Sequence, residues 1–443
     1  MALQFTNLKT NDRTATFTLS PLHVSYANTL RRLILTGVET VAFRADMTSM
    51  GTTTDVVVKR NDTPMTNEML AARIGLLPLQ VTEPLIWKEK EYQFHLSVEG
   101  SAEEIRHVTA SDFKVKKLTQ KADDGKAEAE AEPEPEEESA ARFFPPHPLT
   151  RQTCLLASLP PGTGSSQAHI EILATATRGT GREHARFIPV SQCTYEYTLD
   201  DNPQRIQAMM DHWLNHTKKA SVERGSERYA VLEREFRTME IKRCYKINET
   251  GEPYSYDFTV ESVGVLTPQY IVKRACEVGE NMCSRYVNLQ TGALPAEITV
   301  RHADCRMVGY DFLFRGHDHT LGNLLQTWLV EHHIQGQAAP KISYAGFSVP
   351  HPLRDEMVIR IGVEDGKEST ARAAIAAAAR GCVGLFQAMR QAWAASAAGA
   401  GAAGKPVGRI PRSTAAALRA KAIRDAKAAK GSVAAEAGQS VSA

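Results

Sequence analysis

His212 and His216 stand one helical turn apart, a spacing that can set two imidazoles on one face of a helix, as in zinc protease helices. The glutamate such a helix uses as its base is missing, because Trp213 occupies that slot, so the pair reads as surface or half-buried histidines. His317 and His319 flank Asp318 at a helix start, where capping by Asp318 or Thr320 is the better reading than metal binding. Gly179-x-Gly181 follows a strand and invites a phosphate-binding reading. The third glycine is absent and Phe187-Ile188-Pro189 reads as extended, so no helix opens to meet a phosphate, and the glycines read as permitting a tight turn. Cys154, Cys193, Cys244, Cys276, Cys283, Cys305 and Cys382 are scattered, odd in number and free of any CxxC. They read as small buried apolar residues of an intracellular, reducing compartment. No Ser/His/Asp or paired-carboxylate arrangement stands out. Arg31 and Arg32 are suited to bidentate contact with carboxylates or carbonyls of another surface, with a solvated helix face as the plain alternative.

Those residues must be positioned by elements that the periodicity outlines. Residues 3 to 19 alternate apolar and polar and read as two strands around Thr10-Asn11-Asp12. Ser20-Pro21 reads as a cap and first-turn proline, followed by a helical stripe of Val24, Ala27, Leu30 and Ile34 that Gly37 ends. Strands follow between 38 and 60, then a short helix from Asn67 to Ile74. Further strands read at His169–Ala174, Cys193–Leu199 and Tyr256–Val263, with helices after Asn202-Pro203 and between Ser226 and Met239. After Thr267-Pro268, the residues Ile271, Ala275, Val278, Met282, Tyr286 and Leu289 keep one stripe for five turns until Gly292.

Past Gly292-Ala293-Leu294-Pro295 the pattern restarts. Strands at Ile298–Val300 and Gly309–Phe314 precede a helix with Leu321, Leu324, Leu325, Trp328 and Leu329 on one face. Strands at Lys341–Val349 and Met357–Val363 flank Pro350-His351-Pro352-Leu353, and a long helix carries Ile375, Ala379, Cys382, Phe386, Met389 and Trp393. Val24-Ser25-Tyr26-Ala27-Asn28-Thr29-Leu30 and His317-Asp318-His319-Thr320-Leu321-Gly322-Asn323-Leu324 thus open two equivalent helices. Two half-folds of one kind suggest a dimer tied together, with a function of assembly rather than of a pocket.

Composition bounds the rest. The chain is long enough for two or three cores. A net charge of +1 argues against general nucleic-acid binding. No apolar run of about 18 residues suggests a membrane span, and the first residues lack the basic head and apolar core of a signal peptide. The Ala/Glu/Pro stretch 122–141 reads as a disordered acidic loop, and 397–443 as a disordered, low-complexity basic tail. That tail reads as a solubilising appendage, with weak nucleic-acid contact as its alternative.

The quoted residues carry a resemblance. Val24 to Leu35 is similar to the first-helix signature of the subunits that nucleate multi-subunit RNA polymerases: the bacterial alpha subunit, the archaeal D subunit and the third-largest subunit of eukaryotic RNA polymerase II. Three further stretches resemble later signatures of that family in the same order: Glu68-Met69-Leu70-Ala71-Ala72-Arg73-Ile74-Gly75-Leu76-Leu77-Pro78-Leu79, Arg178 to Val190, and Phe258 to Gly264. The second half is similar to the archaeal L subunit and the eleventh subunit of RNA polymerase II, through Asp318 to Leu325, Tyr344-Ala345-Gly346-Phe347 and Val349-Pro350-His351-Pro352-Leu353. One chain holding both types resembles the fused subunit of some large DNA viruses of eukaryotes.

The resemblance implies an α+β chain with two alpha-subunit-type dimerisation folds, helices packed on mixed or antiparallel sheets, forming an intramolecular pseudo-heterodimer. Residues 1–44 and 186–292 would form the D-like domain, 45–185 a β-rich insert, and 297–396 the L-like domain. Dimerisation would use Val24, Leu30, Ile34, Ile271, Val278, Met282, Leu321, Leu324, Leu325, Trp328, Phe386 and Met389. Contacts to other subunits would use Asn28, Arg31, Arg32, Arg73, Arg178, Arg182, Glu183 and His184. The implied role is a non-catalytic assembly platform of a DNA-directed RNA polymerase. Its partners would be the largest, second-largest and small subunits, with template DNA reached only through the complex and no membrane. A free-standing scaffold or regulatory protein using the same fold is the alternative. Some relatives hold zinc or an iron–sulfur cluster in the insert. Here residues 45–185 contain only Cys154, so no metal and no cofactor is expected. The resemblance implies an intracellular site: a host nucleus, a cytoplasmic viral factory or a packaged virion.

Overall fold

The computed structural model describes residues 2–47, 54–89, 91–118, 136–162, 167–219, 222–304 and 307–403. The first half opens with β1 (Gln4–Thr10) and β2 (Thr14–Ser20), a hairpin whose inward residues Ala15, Phe17 and Leu19 are buried. Helix α1 (Val24–Thr36) follows and β3 (Glu39–Ala42) leaves it. The cap of α1 is His23, whose Nδ1 accepts from the Ser25 N–H. Ser20 was the expected cap, but it is still an extended strand residue paired with Gln4.

The chain then enters a separate core through β4 (Val56–Asn61), α2 (Asn67–Gly75), β5 (Tyr92–Glu99), β6 (Arg106–Thr109), β7 (Phe113–Lys117), β8 (Glu136–Glu138), α3 (Ala140–Phe143), β9 (Leu155–Leu159) and β10 (His169–Thr175). Five of these strands form a sheet in the order β4-β10-β5-β7-β8, and β6 pairs with β9. Its centre is a cluster of phenylalanines: Phe43, Phe94, Phe113, Phe143 and Phe144. Residues 122–135 of the acidic loop lie outside the described residues. The end of the loop is ordered, contrary to expectation. β8 pairs with β7, Glu137 opposite Lys116, and buried Phe143 and Phe144 draw the following turn into the aromatic core.

The chain returns along β11 (Thr177–Thr180), which pairs with β3, so entry to and exit from the insert form one two-stranded neck. Next come β12 (Val190–Tyr197), α4 (Pro203–His212), α5 (Glu227–Glu235), β13 (Tyr256–Ser262) and α6 (Pro268–Ser284). Both α4 and α5 run on into wider π-helical turns and share a small core of Met210, Trp213, Leu214 and Phe236. Strands β1-β2-β13-β12 make the first-half sheet. Helix α6 stops at Ser284, earlier than the five-turn stripe suggested, yet Tyr286 and Leu289 stay buried in the turns beyond it.

The second half is β14 (Ile298–His302), β15 (Gly309–Arg315), α7 (His319–Trp328), β16 (Tyr344–Ser348), β17 (Glu356–Gly362) and α8 (Glu368–Ala403), with sheet order β14-β15-β17-β16. Asp318 caps α7 by accepting from the Thr320 N–H at 2.8 Å. α8 outlasts the expected end near 393 because its alanine-rich sequence is the strongest of helix formers. Every named strand pairing is antiparallel. The basic tail from 404 onward lies outside the described residues.

Candidate subunit interface: the seam between the halves

One hydrophobic core passes without a break from the first-half sheet, through α1 and α6, to α7, α8 and the second-half sheet. Each helix contributes the stripe that its sequence spacing defines. Leu30, Ile34, Ile271, Leu321, Leu324, Leu325, Phe386 and Met389 are wholly buried in this core. Val24, Val278, Met282 and Trp328 are half-buried against it. A helix stripe of this width has nowhere to go in an isolated half, so the two halves hide each other's apolar faces.

The tightest crossing is between α6 and α8. A Cβ on Gly279 would lie 2.6 Å from the Phe386 ring, so only glycine lets the ring seat there. Along the same antiparallel contact, the Gln387 amide donates to Glu280 at 2.8 Å and Arg390 pairs with Glu280 at 3.3 Å. At one end Arg380 donates to the Val287 carbonyl at 2.7 Å. At the other, Trp393 crosses to the first-half sheet. Its ring meets Phe5 at 5.2 Å and Phe17 at 5.1 Å, both edge-on, while Nε1–H donates to the Gln269 carbonyl at 3.1 Å. Sequence spacing puts Trp393 on the α8 stripe but gives no sign that its ring closes the other half.

Polar groups rim the apolar centre. The Tyr26 hydroxyl donates to Glu331 at 2.5 Å; burial and this carboxylate together hold its pKa well above the ordinary tyrosine value. Arg32 donates from Nε to the Thr320 hydroxyl at 2.8 Å and pairs with Asp318 at 3.2 Å. Burial opposes ionisation of Asp318, but hydrogen bonds from Thr320 and the nearby Arg32 and Arg182 outweigh it and hold its carboxyl below the usual range. Tyr286 and His317 share a 2.6 Å hydrogen bond. Burial, then Arg182 and Arg285, keep His317 less basic than a free imidazole. Arg182 pairs with Asp355 and donates to the Gly316 carbonyl at 2.8 Å. A cleft of about 400 Å³ lies along this rim, lined by Arg182, Arg274, Arg285, His317 and Asp318 among others. Arg274 is not free to bind a ligand there, because Glu39 and Glu277 take its guanidinium at 2.9–3.0 Å.

The residues read as outward contacts all have partners inside the chain. Asn28 accepts from Arg31 at 3.0 Å, and the Arg73 guanidinium holds the Leu155 carbonyl at 3.0–3.1 Å. Arg178 donates to the Leu85 carbonyl at 3.2 Å. Glu183 binds Arg44 through both oxygens, and His184 caps the single 3₁₀ turn Ala185–Phe187 through its Nδ1. That turn replaces the extended stretch expected at Phe187. Gly181 lies in the expected tight turn, closed by the Glu183 N–H on the Thr180 carbonyl at 3.0 Å, while Gly179 is still a strand residue, and neither takes a left-handed conformation. A Cβ on Gly179 would strike the Phe187 ring at 2.6 Å, and one on Gly181 the Leu35 carbonyl at 2.3 Å, so both glycines serve close approach.

His212 and His216 do lie together, ring centroids 4.3 Å apart, on an exposed helix face. Among the described residues, no group of three or more His, Cys, Asp and Glu side chains is placed to hold a metal ion. No helix among them is long and apolar enough to cross a membrane.

Two family models, both described as the RNA polymerase Rpb3/Rpb11 dimerisation domain, match the chain, one over residues 16–283 and one over 310–392. The chain belongs to this family. The two matches fall on the two sides of the seam, and the connection after α6 lies between them. The Rpb3/Rpb11-type chain is similar to the human DNA-directed RNA polymerases I and III subunit RPAC1, at 22% identity over 299 residues, 61% of this chain and 80% of that protein. It is similar to the DNA-directed RNA polymerase subunit Rpo3 of Methanosphaera stadtmanae, at 21% identity over 289 residues, 63% of this chain and 95% of that one. It is also similar to the DNA-directed RNA polymerases I and III subunit rpc19 of Dictyostelium discoideum, at 32% identity over 79 residues, 18% of this chain and 59% of that protein.

Proposed function

We propose that this chain is a non-catalytic assembly subunit of a DNA-directed RNA polymerase, carrying both members of an Rpb3/Rpb11-type heterodimer in one polypeptide. The observation that carries the reading is the unbroken core between two matches to the same dimerisation family. Fusion makes pairing intramolecular, at an effective concentration of roughly millimolar. The folded chain is then a preassembled platform for the two largest subunits, the first half meeting the second-largest and the second half the largest. In this reading Arg31, rather than Arg32, faces the second-largest subunit, because Arg32 is turned into the seam while Arg31 engages only Asn28 among the described residues. Arg73, Arg178 and Glu183 act by fixing loops that meet partners. The fusion favours a viral enzyme of the kind found in large DNA viruses, working in a nucleus, a cytoplasmic factory or a virion, and the alanine-, arginine- and glycine-rich stretches fit a GC-rich genome.

The test is affinity purification of the tagged full chain from its native source, with subunit stoichiometry. One copy per polymerase, without a separate eleventh-type subunit, is the expected result. A chain absent from the polymerase supports the free-standing scaffold instead. Arg31→Ala should leave the fold intact and lower recovery of the second-largest subunit; unchanged stoichiometry would remove Arg31 from the interface.

A further inference from the structure

The tetrapeptide Pro-His-Pro-Leu occurs twice, at Pro146–Leu149 in the insert and at Pro350–Leu353 in the second half. The two copies share a build. His147 Nδ1 accepts from the Leu149 N–H at 3.3 Å, and His351 Nδ1 accepts from the Leu353 N–H at 3.1 Å. In each, the histidine carbonyl takes a further backbone N–H, from Arg151 at 2.8 Å and from Arg354 at 3.2 Å. Both loops therefore hold their shape with their own bonds, and both leave the leucine in water, Leu149 at 81% and Leu353 at 89% exposure. A large apolar side chain on a self-braced loop enters a pocket with little backbone entropy left to lose.

The first copy has two further features. Arg151, which closes it, sits at φ +60°, a left-handed conformation that a non-glycine residue keeps only when its surroundings enforce it. Beside it runs a groove of about 490 Å³, walled by Leu77, Pro78, Phe144, Pro145, Pro148 and Val263. Arg13 lines the same groove. Its guanidinium lies against Gly264, where a Cβ would come within 3.2 Å of it, and it has no hydrogen bond or ion pair to any described residue. An apolar groove with one unpaired cation asks for an apolar segment that carries a carboxylate.

We infer that the Pro146–Leu149 loop and its groove form a docking site for an extended, apolar, carboxylate-bearing segment of another polymerase subunit. Leu149 enters a pocket on that subunit and Arg13 takes the carboxylate. This inference rests on the polymerase-assembly reading and gives the insert a task of its own within it.

The experiment uses the full chain co-expressed with the other polymerase subunits and recovered through a tag on the chain. Leu149→Ser and Arg13→Glu are compared with Ile105→Ser, which alters another exposed, leucine-sized residue of the insert, 59% exposed and outside the groove. Either groove variant should lower recovery of one partner subunit about tenfold, and the control should not. Cys154, an exposed thiol on the groove rim, supplies a second readout. Its maleimide labelling, followed by peptide mapping, should slow in the assembled enzyme and recover in Leu149→Ser. Full assembly by both groove variants with unprotected Cys154 overturns the docking site and leaves the assembly role standing. A wild-type chain that brings no polymerase subunit overturns both. Self-association of the chain through Leu149, seen by sedimentation without partners, also overturns the inference.

Discussion

Trp393→Ala should separate the two halves once the chain between them is cut. The side chain is 2% exposed, and it fills the space between Phe5 and Phe17 while its indole N–H satisfies the Gln269 carbonyl. Truncating a buried aromatic of this size costs about 3–5 kcal/mol, and two edge-on ring contacts with a buried hydrogen bond favour the upper part of that range. In the intact chain much of this loss is hidden, because the halves remain tethered at roughly millimolar effective concentration. A protease site placed after Gly292 removes the tether. That glycine is exposed and has no atom within 4 Å of where a side chain would project, so the insertion should be tolerated. After cleavage the loss becomes roughly 140- to 4,000-fold in the dissociation constant. At micromolar concentration the cut wild type should elute as one species and cut Trp393→Ala as two. The uncut variant should keep the far-ultraviolet dichroism of wild type, which excludes general misfolding. Wild-type halves that separate at once, or variant halves that stay together as well as wild type, would refute the argument that α8 clamps the seam.

Gly279→Val should lower the melting temperature by overpacking against Phe386, at about 1–3 kcal/mol, and Phe386→Leu in the same chain should recover part of it, since the two residues touch. The seam should also weaken in mild acid. His317 binds a proton less readily in the folded chain than its ordinary value of 6.5 implies. The unfolded chain therefore takes up more protons below that value, so His317's contribution is full above it and is lost as pH falls through it. Melting curves between pH 7.5 and 5 should show this slope, and His317→Gln should flatten it; equal slopes would count against burial of His317. Burial pushes the thiols of Cys193 and Cys276 up to about 12 and Cys382 well above its usual range, while Cys154 is exposed. Maleimide should therefore modify Cys154 in the native chain and reach these three only after denaturation, as read by peptide mapping.

The helix stripes were legible in the sequence because a buried helix face repeats every three to four residues, and Leu30, Ile34, Ile271, Leu321 and Leu325 obey that period. Much of the insert was not. Tyr92–Glu99 alternates apolar and polar residues as a half-buried strand does, but its neighbours β10 and β7 are set by long-range pairing that no local pattern encodes. Gly279 shows the same limit on a smaller scale. It reads as a weak point in α6, and only the position of Phe386 on a helix about a hundred residues away reveals what the missing side chain admits. The partners of the charged residues were the least legible. Arg178 and Arg73 hold carbonyls, which any sequence position supplies, so composition gives no hint of them. Pro-His-Pro-Leu was visible in principle, since its second copy repeats residue for residue.

Arg31 and Arg32 illustrate why residue type and adjacency cannot fix a contact surface on a helix. Consecutive helical residues project about 100° apart, so two neighbours cannot both face one partner squarely. The wholly buried Leu30 and Ile34 fix the inward direction of α1. With that direction set, Arg32 reaches Asp318 and Thr320 on α7, and Arg31 turns towards Asn28 and the β12 edge, where its charge is felt by Cys193 and Tyr195. The same logic governs Arg182, whose guanidinium spans from the β11 turn to Asp355 in the second half. Two of the arginines that resemble outward contacts are thus spent on the seam. These side chains are about one-third exposed at Arg32 and more so at Arg182, so each pair contributes on the order of 1 kcal/mol or less, and the apolar stripes supply most of the closure. The arginines instead set the register in which the stripes meet, since a one-turn slip of α1 along α7 would leave Arg32 and Asp318 apart in a half-buried setting. Fusion raises the chance that the halves meet, and these rim pairs decide how they fit.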